Sequence, residues 1–164
     1  MDDYRIVPAE KRYCAGHAKT LSFVAQEGKY LSTNSAFSET DTINFYLYCK
    51  NKGFPQLFVV DTNDEVVGWC DIVTRESYPD TVGFIGLGLM PEYRDRGIGT
   101  LLMERAIEEA RYAGFREIRL DCRESNERAL HLYRKLGFRR VAFFRKGLVI
   151  DGESIPIVCM RKKI

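Results

Sequence analysis

The run Arg94-Asp95-Arg96-Gly97-Ile98-Gly99 holds the residues best suited to chemistry in this chain, because it joins an apolar strand pattern to an amphipathic helix pattern. The first N–H groups of a helix have no partner inside it, and their alignment makes that end partly positive. An anion such as a pyrophosphate fits against amides running from Gly97 through Ile98 and Gly99 to Thr100. Gly97 and Gly99 let that anion approach the backbone without a side chain in the way. Arg94 and Arg96 add charge for ion-assisted hydrogen bonds, or else pair with Glu92 or Asp95 or face solvent. The run lacks the Gly-Lys-Ser/Thr ending of a P-loop and does not open a G-x-G-x-x-G dinucleotide unit.

Further along, Asn126 and Tyr133 lie on a short helix pattern, and Tyr133 offers a phenol able to donate a proton. The alternative for Tyr133 is aromatic packing near Leu130 and Leu136. Either Ser125 or Asn126 has the side chain of a helix cap. Cys122 would need a paired His or a lowered pKa to act as a nucleophile, and a core thiol explains its position more simply.

These groups are carried by alternating elements. Strands are expected at Tyr4 to Pro8, Leu57 to Val60, Glu65 to Val73, Thr81 to Met90, Ile118 to Cys122, Phe138 to Phe144, Leu148 to Ile150 and Ile155 to Met160. Helices are expected from Glu10 to about Gln26, Thr40 to Asn51, Gly97 to Ala113 and Asn126 to Leu136. Gly83, Gly86 and Gly88 weaken the Thr81–Met90 strand and predict a bulge or a body lying close against it. The whole reads as one α/β domain over 1–164, with antiparallel hairpins early and a strand–helix–strand unit late. The polar stretch from Ser32 to Thr42 suits a substrate-facing rim.

Composition narrows the function. Of 164 residues 45% are apolar and 29% charged, which is the range of a folded globular chain. With 25 basic and 23 acidic side chains the net charge is +2, so no broad field favours nucleic acid despite local clusters at Arg139, Arg140, Arg145 and Lys146. No secretory leader and no membrane-length apolar run is expected, which points to a cytoplasmic protein. Five dispersed cysteines and two histidines predict no metal site.

The segment Met90-Pro91-Glu92-Tyr93-Arg94-Asp95-Arg96-Gly97-Ile98-Gly99 resembles the acetyl-CoA signature of the GNAT superfamily of N-acetyltransferases, and Ser125 to Phe138 resembles its second signature. The resemblance is close over about residues 57 to 145 and loose over the rest. It implies a mixed central sheet with helices on both faces, in which the fourth strand splays from the fifth to leave a slot for pantetheine. It implies acetyl-CoA as donor, bound by Leu89, Met90, Arg94, Asp95, Arg96, Gly97, Ile98, Gly99, Thr100, Asn126, Tyr133 and, near the adenosine phosphates, Arg128, Arg134 and Lys135. The Leu89 N–H is then the oxyanion donor and Tyr133 the acid toward sulfur.

No Glu, Asp or His stands between Thr81 and Met90 to serve as general base. Asp71, Glu39, Asp41, His17 or a water chain remain as sources of that function. Phe37, Phe45, Trp69 and Tyr78 suit an apolar acceptor cleft, with core packing the alternative for Phe45 and Trp69, and Asp41 and Asp71 to orient a cationic amine. The resulting expectation is direct acetyl transfer to a primary amine, a small molecule ahead of a protein N-terminus or lysine. A noncatalytic acyl-CoA sensor is the alternative, and homodimerisation through the late strands is a family habit.

Overall fold

The computed structural model describes residues 2–164. Its strands are β1 (Tyr4–Pro8), β2 (Gln56–Asp61), β3 (Val66–Val73), β4 (Val82–Leu89), β5 (Glu117–Arg123), β6 (Arg139–Ile150) and β7 (Glu153–Lys163). Its α-helices are α1 (Cys14–Gln26), α2 (Glu39–Lys52), α3 (Ile98–Tyr112) and α4 (Glu127–Lys135). The strands form one seven-stranded sheet in the order β1-β2-β3-β4-β5-β7-β6, antiparallel except for the β4–β5 pair. That parallel pair is the strand–helix–strand unit, with α3 as its crossover.

Leu57, Phe58, Val59 and Val60 are all fully buried, so β2 is covered on both faces and reads as a continuous apolar run. Leu57 and Val59 point with Cys70 and Ile72 into the core under α3 and α4. Phe58 and Val60 point the other way and join Trp69, Tyr13 and Val24 under α1. Helix α3 buries Ile98, Leu102, Met103, Ala106, Ile107 and Ala110, one stripe at helical spacing.

Local chemistry sets the boundaries. Ser38 and Asp41 form a reciprocal capping box at the start of α2, and Gly53 ends it at φ 70°. The Asn126 carboxamide accepts from the Ala129 N–H and caps α4.

Two expectations need correction. The first helix does not run from Glu10: Glu10 is extended, Lys11–Tyr13 form a 3-10 turn, and the α-helix starts at Cys14. The two short strands expected at 138–144 and 148–150 are one strand, β6, whose register slips between Phe144 and Leu148. Gly147 permits this, since a Cβ there would stand 2.8 Å from Ile157. Of the two alternatives for the β4 glycines, the close neighbour holds: β4 keeps an unbroken register with β3, and the Trp69 ring comes up against Gly88.

Candidate functional site

Strands β4 and β5 pair only at Val82/Glu117, Gly83/Ile118 and Phe84/Arg119. Beyond Phe84 they part, and the side chains of β4 pass from buried to half-buried. A cavity of about 410 Å³ occupies the gap and reaches both faces of the sheet. On one side lie Gly99, Asn126, Arg128, Leu132 and Tyr133; on the other lie Trp69, Asp71, Arg75, Tyr30 and Phe37.

Backbone alternation arms the slot. The Met90 N–H donates to Val67 O at 2.8 Å, so in the β3–β4 register the N–H groups of Met90, Gly88 and Gly86 face β3. Those of Leu89, Leu87 and Ile85 therefore face the gap. The Leu89 carbonyl is taken by Arg94 Nε at 2.9 Å.

At the start of α3, Gly97 sits at φ 78° and supplies no side-chain cap. The first backbone bond of the helix runs from Leu101 N–H to Gly97 O, which leaves the amides of Ile98, Gly99 and Thr100 without an intrahelical acceptor. A Cβ on Gly97 would meet nothing within 4 Å. These open donors beside the slot fit an anionic group, and the cavity that ends at Gly99 fits an extended arm attached to it.

Two of the basic residues expected at the cradle are already engaged. Arg94 donates to Glu27 Oε1 at 3.0 Å and lies over the Tyr30 ring, so it fixes the loop and the Leu89 carbonyl. Arg96 turns to Asp3 and the Tyr93 ring. Asp95, at φ 56°, holds Arg128 Nε at 2.9 Å, which places Arg128 at the slot's rim. Met90 packs toward the α3 core. Arg134 and Lys135 are exposed and do not line the cavity.

Tyr133 is buried in the cavity wall, and burial pushes its phenol well above its ordinary range, so it stays protonated. Burial likewise lifts the neighbouring Cys122 thiol to about 12, which keeps it from acting as a thiolate.

Asp71 lines the opposite side of the gap, and burial alone raises its carboxyl to about 7. The rival bases stand elsewhere. Asp41 is spent on the α2 capping box with Ser38, and Glu39 is exposed in the same first turn. His17 is buried between Phe58 and Trp69 with its pKa lowered to about 4 by desolvation. Tyr78 meets Phe84 edge-to-face at 4.9 Å and Phe45 lies beside Tyr48, and neither lines the cavity. Trp69 and Phe37 do line it.

Several residues at this site escaped sequence reasoning. Tyr30, Leu31, Ser32 and Thr33 come from the polar segment before α2, and only its composition hinted at a rim. Arg123, 5% exposed, donates to Gly28 O at 2.9 Å and to Leu31 O, pinning that segment over the end of β5. Arg75 and Asp121 form an ion pair of 2.7 Å at the cleft mouth. None carries a local sequence signal, because each acts through a partner about 46 or more positions away. Among the described residues no cluster of three or more His, Cys, Asp or Glu side chains is placed to hold a metal ion.

Residues 24–138 match the family model described as "Acetyltransferase (GNAT) family". The chain belongs to the GNAT family. It is therefore an N-acetyltransferase with acetyl-CoA as donor, and the open amides of α3 and the β4–β5 gap suit that molecule's diphosphate and pantetheine arm. The GNAT chain is 25% identical over 142 residues to the L-2,4-diaminobutyric acid acetyltransferase of Nocardia farcinica, covering 86% of this chain and 69% of that protein. It is 34% identical over 111 residues to an N-alpha-acetyltransferase of Sulfurisphaera tokodaii, covering 59% of this chain and 64% of the other. A GNAT superfamily phosphinothricin acetyltransferase from Sinorhizobium meliloti, solved with AcCoA, superposes with a TM-score of 0.90 at 17% identity, over 99% of this chain and 89% of that one. The mixed sheet, helices on both faces and splayed slot are thus the GNAT fold. Among the described residues no helix is long and apolar enough to cross a membrane.

Proposed function

We propose that the protein transfers the acetyl group of acetyl-CoA directly to the primary amine of a small, amino-acid-like molecule, with Asp71 as general base and Tyr133 as general acid. One observation carries this reading: the cavity passes through the sheet, with Asp71 on one side and Tyr133 on the other. Donor and acceptor can then meet between them without sharing an entrance.

Acetyl-CoA supplies the activated thioester. The amides of Ile98, Gly99 and Thr100 bind its diphosphate, and Asn126 and Arg128 border the arm. Asp71, with a carboxyl near 7, takes the proton that makes the amine nucleophilic. The Leu89 N–H, fixed by the register and by Arg94 on its own carbonyl, faces the oxygen that gains charge. Tyr133 gives its proton to the leaving sulfur as the C–S bond breaks, and the second proton, shed by the newly acylated nitrogen, returns to the phenolate. No residue becomes covalently attached.

The acceptor side favours a small molecule. Trp69, Phe37 and Tyr30 wall it, the segment pinned by Arg123 covers it, and the Arg75–Asp121 pair narrows its mouth. The diaminobutyric acid enzyme among its relatives supports the same class. The N-alpha-acetyltransferase relative supports a second reading, in which a protein N-terminus enters the cleft. A cytoplasmic setting belongs to the proposal, as does a homodimer through β6, the sheet's last strand, where Phe144 and Val149 are exposed.

Thiol release from acetyl-CoA, followed across free diamines, amino acids and short peptides, separates these readings. Turnover of free amines with peptides inert supports the first; the reverse supports the second. Tight donor binding with release to no acceptor contradicts both.

A further inference from the structure

Strands β2 and β3 set Gln56 directly opposite Asp71. The Ile72 N–H donates to Pro55 O at 3.0 Å, which makes Pro55/Ile72 a hydrogen-bonded pair. The next pair, Gln56/Asp71, is then of the non-bonded kind, in which facing side chains stand closest.

Gln56 is only 7% exposed, and neither its Nε2 nor its Oε1 finds a hydrogen-bond partner among the described residues. A buried amide left unpaired is destabilising, and such groups in native folds are met by ordered water or a functional partner. The same register row continues from Asp71 to Gly86. Asp71 and Gly86 line the reaction cavity, while Gln56 lines a second cavity of about 520 Å³ with Cys49, Tyr46, Phe54 and Glu109. One carboxamide therefore stands between the carboxyl and a separate opening to solvent.

The charged and titratable surroundings leave Asp71 to Gln56. From α2, Cys49 faces it as a neutral thiol, raised to about 12 by burial and by Asp71 itself. Cys70, its neighbour on β3, points to the opposite face and is also held neutral. Arg75 and Asp121 neutralise each other at the cleft mouth, and Lys50 and Glu109 stand on the rim of the second cavity. From β4 the facing residue is Gly86, with no side chain to contribute.

We propose that Gln56 is a positioning residue that links Asp71 to the second cavity: its carboxamide holds a bridging water against the carboxylate, which keeps the carboxylate toward the slot, and that water carries the acceptor's proton out to solvent. This rests on Asp71 as the base. In the step, an N–H bond of the acceptor ammonium breaks and an Asp71 O–H forms. That O–H then breaks as the proton leaves on water in the second cavity, restoring the carboxylate, with nothing oxidised or reduced. Acetylation of an ammonium group releases one proton overall, and this path accounts for it.

The test is a carbon-13 titration of the Asp71 carboxyl in the protein without donor, paired with the pH profile of kcat/KM, for the wild type, Q56L, Q56E and D71N. In Q56L the Asp71 midpoint is expected to rise by about half a unit or more. The acid limb should move with it, kcat should fall roughly tenfold with acceptor KM nearly unchanged, and a small diffusible base such as imidazole should restore rate. If Q56L does not fold, Q56E, polar and of equal length, carries the test: a second carboxyl at that position raises the Asp71 midpoint. Midpoints unmoved in Q56L or Q56E, while D71N abolishes the limb, overturn the role of Gln56 and leave Asp71 as base. A limb that survives D71N overturns both, and the two failures are distinct.

Discussion

The tip of the Trp69 ring comes up against the bare backbone of Gly88, so close that a Cβ on Gly88 would stand 2.2 Å from its Cη2. The two residues are cross-strand partners in β3 and β4, and this contact sets both the acceptor wall and the edge of the slot. Replacing Gly88 by Ala forces the indole out of its place or β4 away from β3. The expected cost is about 1–3 kcal/mol of stability from overpacking. Acceptor KM should rise more than acetyl-CoA KM, as measured by steady-state kinetics beside thermal unfolding.

Removing the base should separate binding from chemistry. D71N is expected to lower kcat/KM roughly 10²- to 10⁴-fold while acetyl-CoA affinity holds. In the wild type, kcat/KM rises with pH through an inflection near 7, where the Asp71 carboxyl loses its proton. D71N should lack that inflection.

Stability offers a test without turnover, because the half-buried Asp71 and the buried His17 pull in opposite directions. Asp71 is raised from 3.8 to about 7, so the folded state holds the extra proton and stability falls as pH climbs from about 4 to 7. His17 is lowered from 6.5 to about 4, so the unfolded state holds the extra proton and stability rises over about 4 to 6.5. Each can reach a slope near 1.4 kcal/mol per pH unit, of opposite sign. Denaturant melts across pH should show D71N gaining stability with pH relative to wild type, and H17F losing it.

Tyr133 lies on the donor side, where its protonated phenol is held by burial. Y133F keeps the ring packed near Phe138 and removes only the hydroxyl. The expected outcome is about a hundredfold loss of kcat with little change in either KM or in melting temperature. A large fall in stability instead would assign Tyr133 to packing.

Most of this fold is written in local pattern. The α3 stripe and the unbroken apolar run of β2 each follow from near neighbours, so their positions were legible to within a few residues. Gly147 hid a slip inside β6 because a glycine between two apolar runs looks the same as a turn. At the site, the amides of Ile98 to Thr100 were legible because a helix start is a backbone property. The partners of Arg94 and Arg96 were not, since Glu27 and Asp3 lie far away in the chain. Arg123 was invisible for the same reason.

The cradle itself has a direct probe. Gly99 borders the slot, and a Cβ there would stand 3.2 Å from Leu132. G99V places two methyl groups where the arm must pass. Calorimetry should show acetyl-CoA binding weakened roughly tenfold or more, equivalent to about 1.4 kcal/mol, with the fold intact.

The central claim is that donor and acceptor reach one another through the β4–β5 gap from opposite faces of the sheet. A crystal structure with coenzyme A and an N-acetylated amine product tests it most directly. The account predicts the diphosphate on the amides of Ile98, Gly99 and Thr100, sulfur near the Tyr133 hydroxyl, the product nitrogen facing Asp71 and the acetyl oxygen at the Leu89 N–H. A diphosphate bound away from α3, or a product nitrogen remote from Asp71, would contradict it.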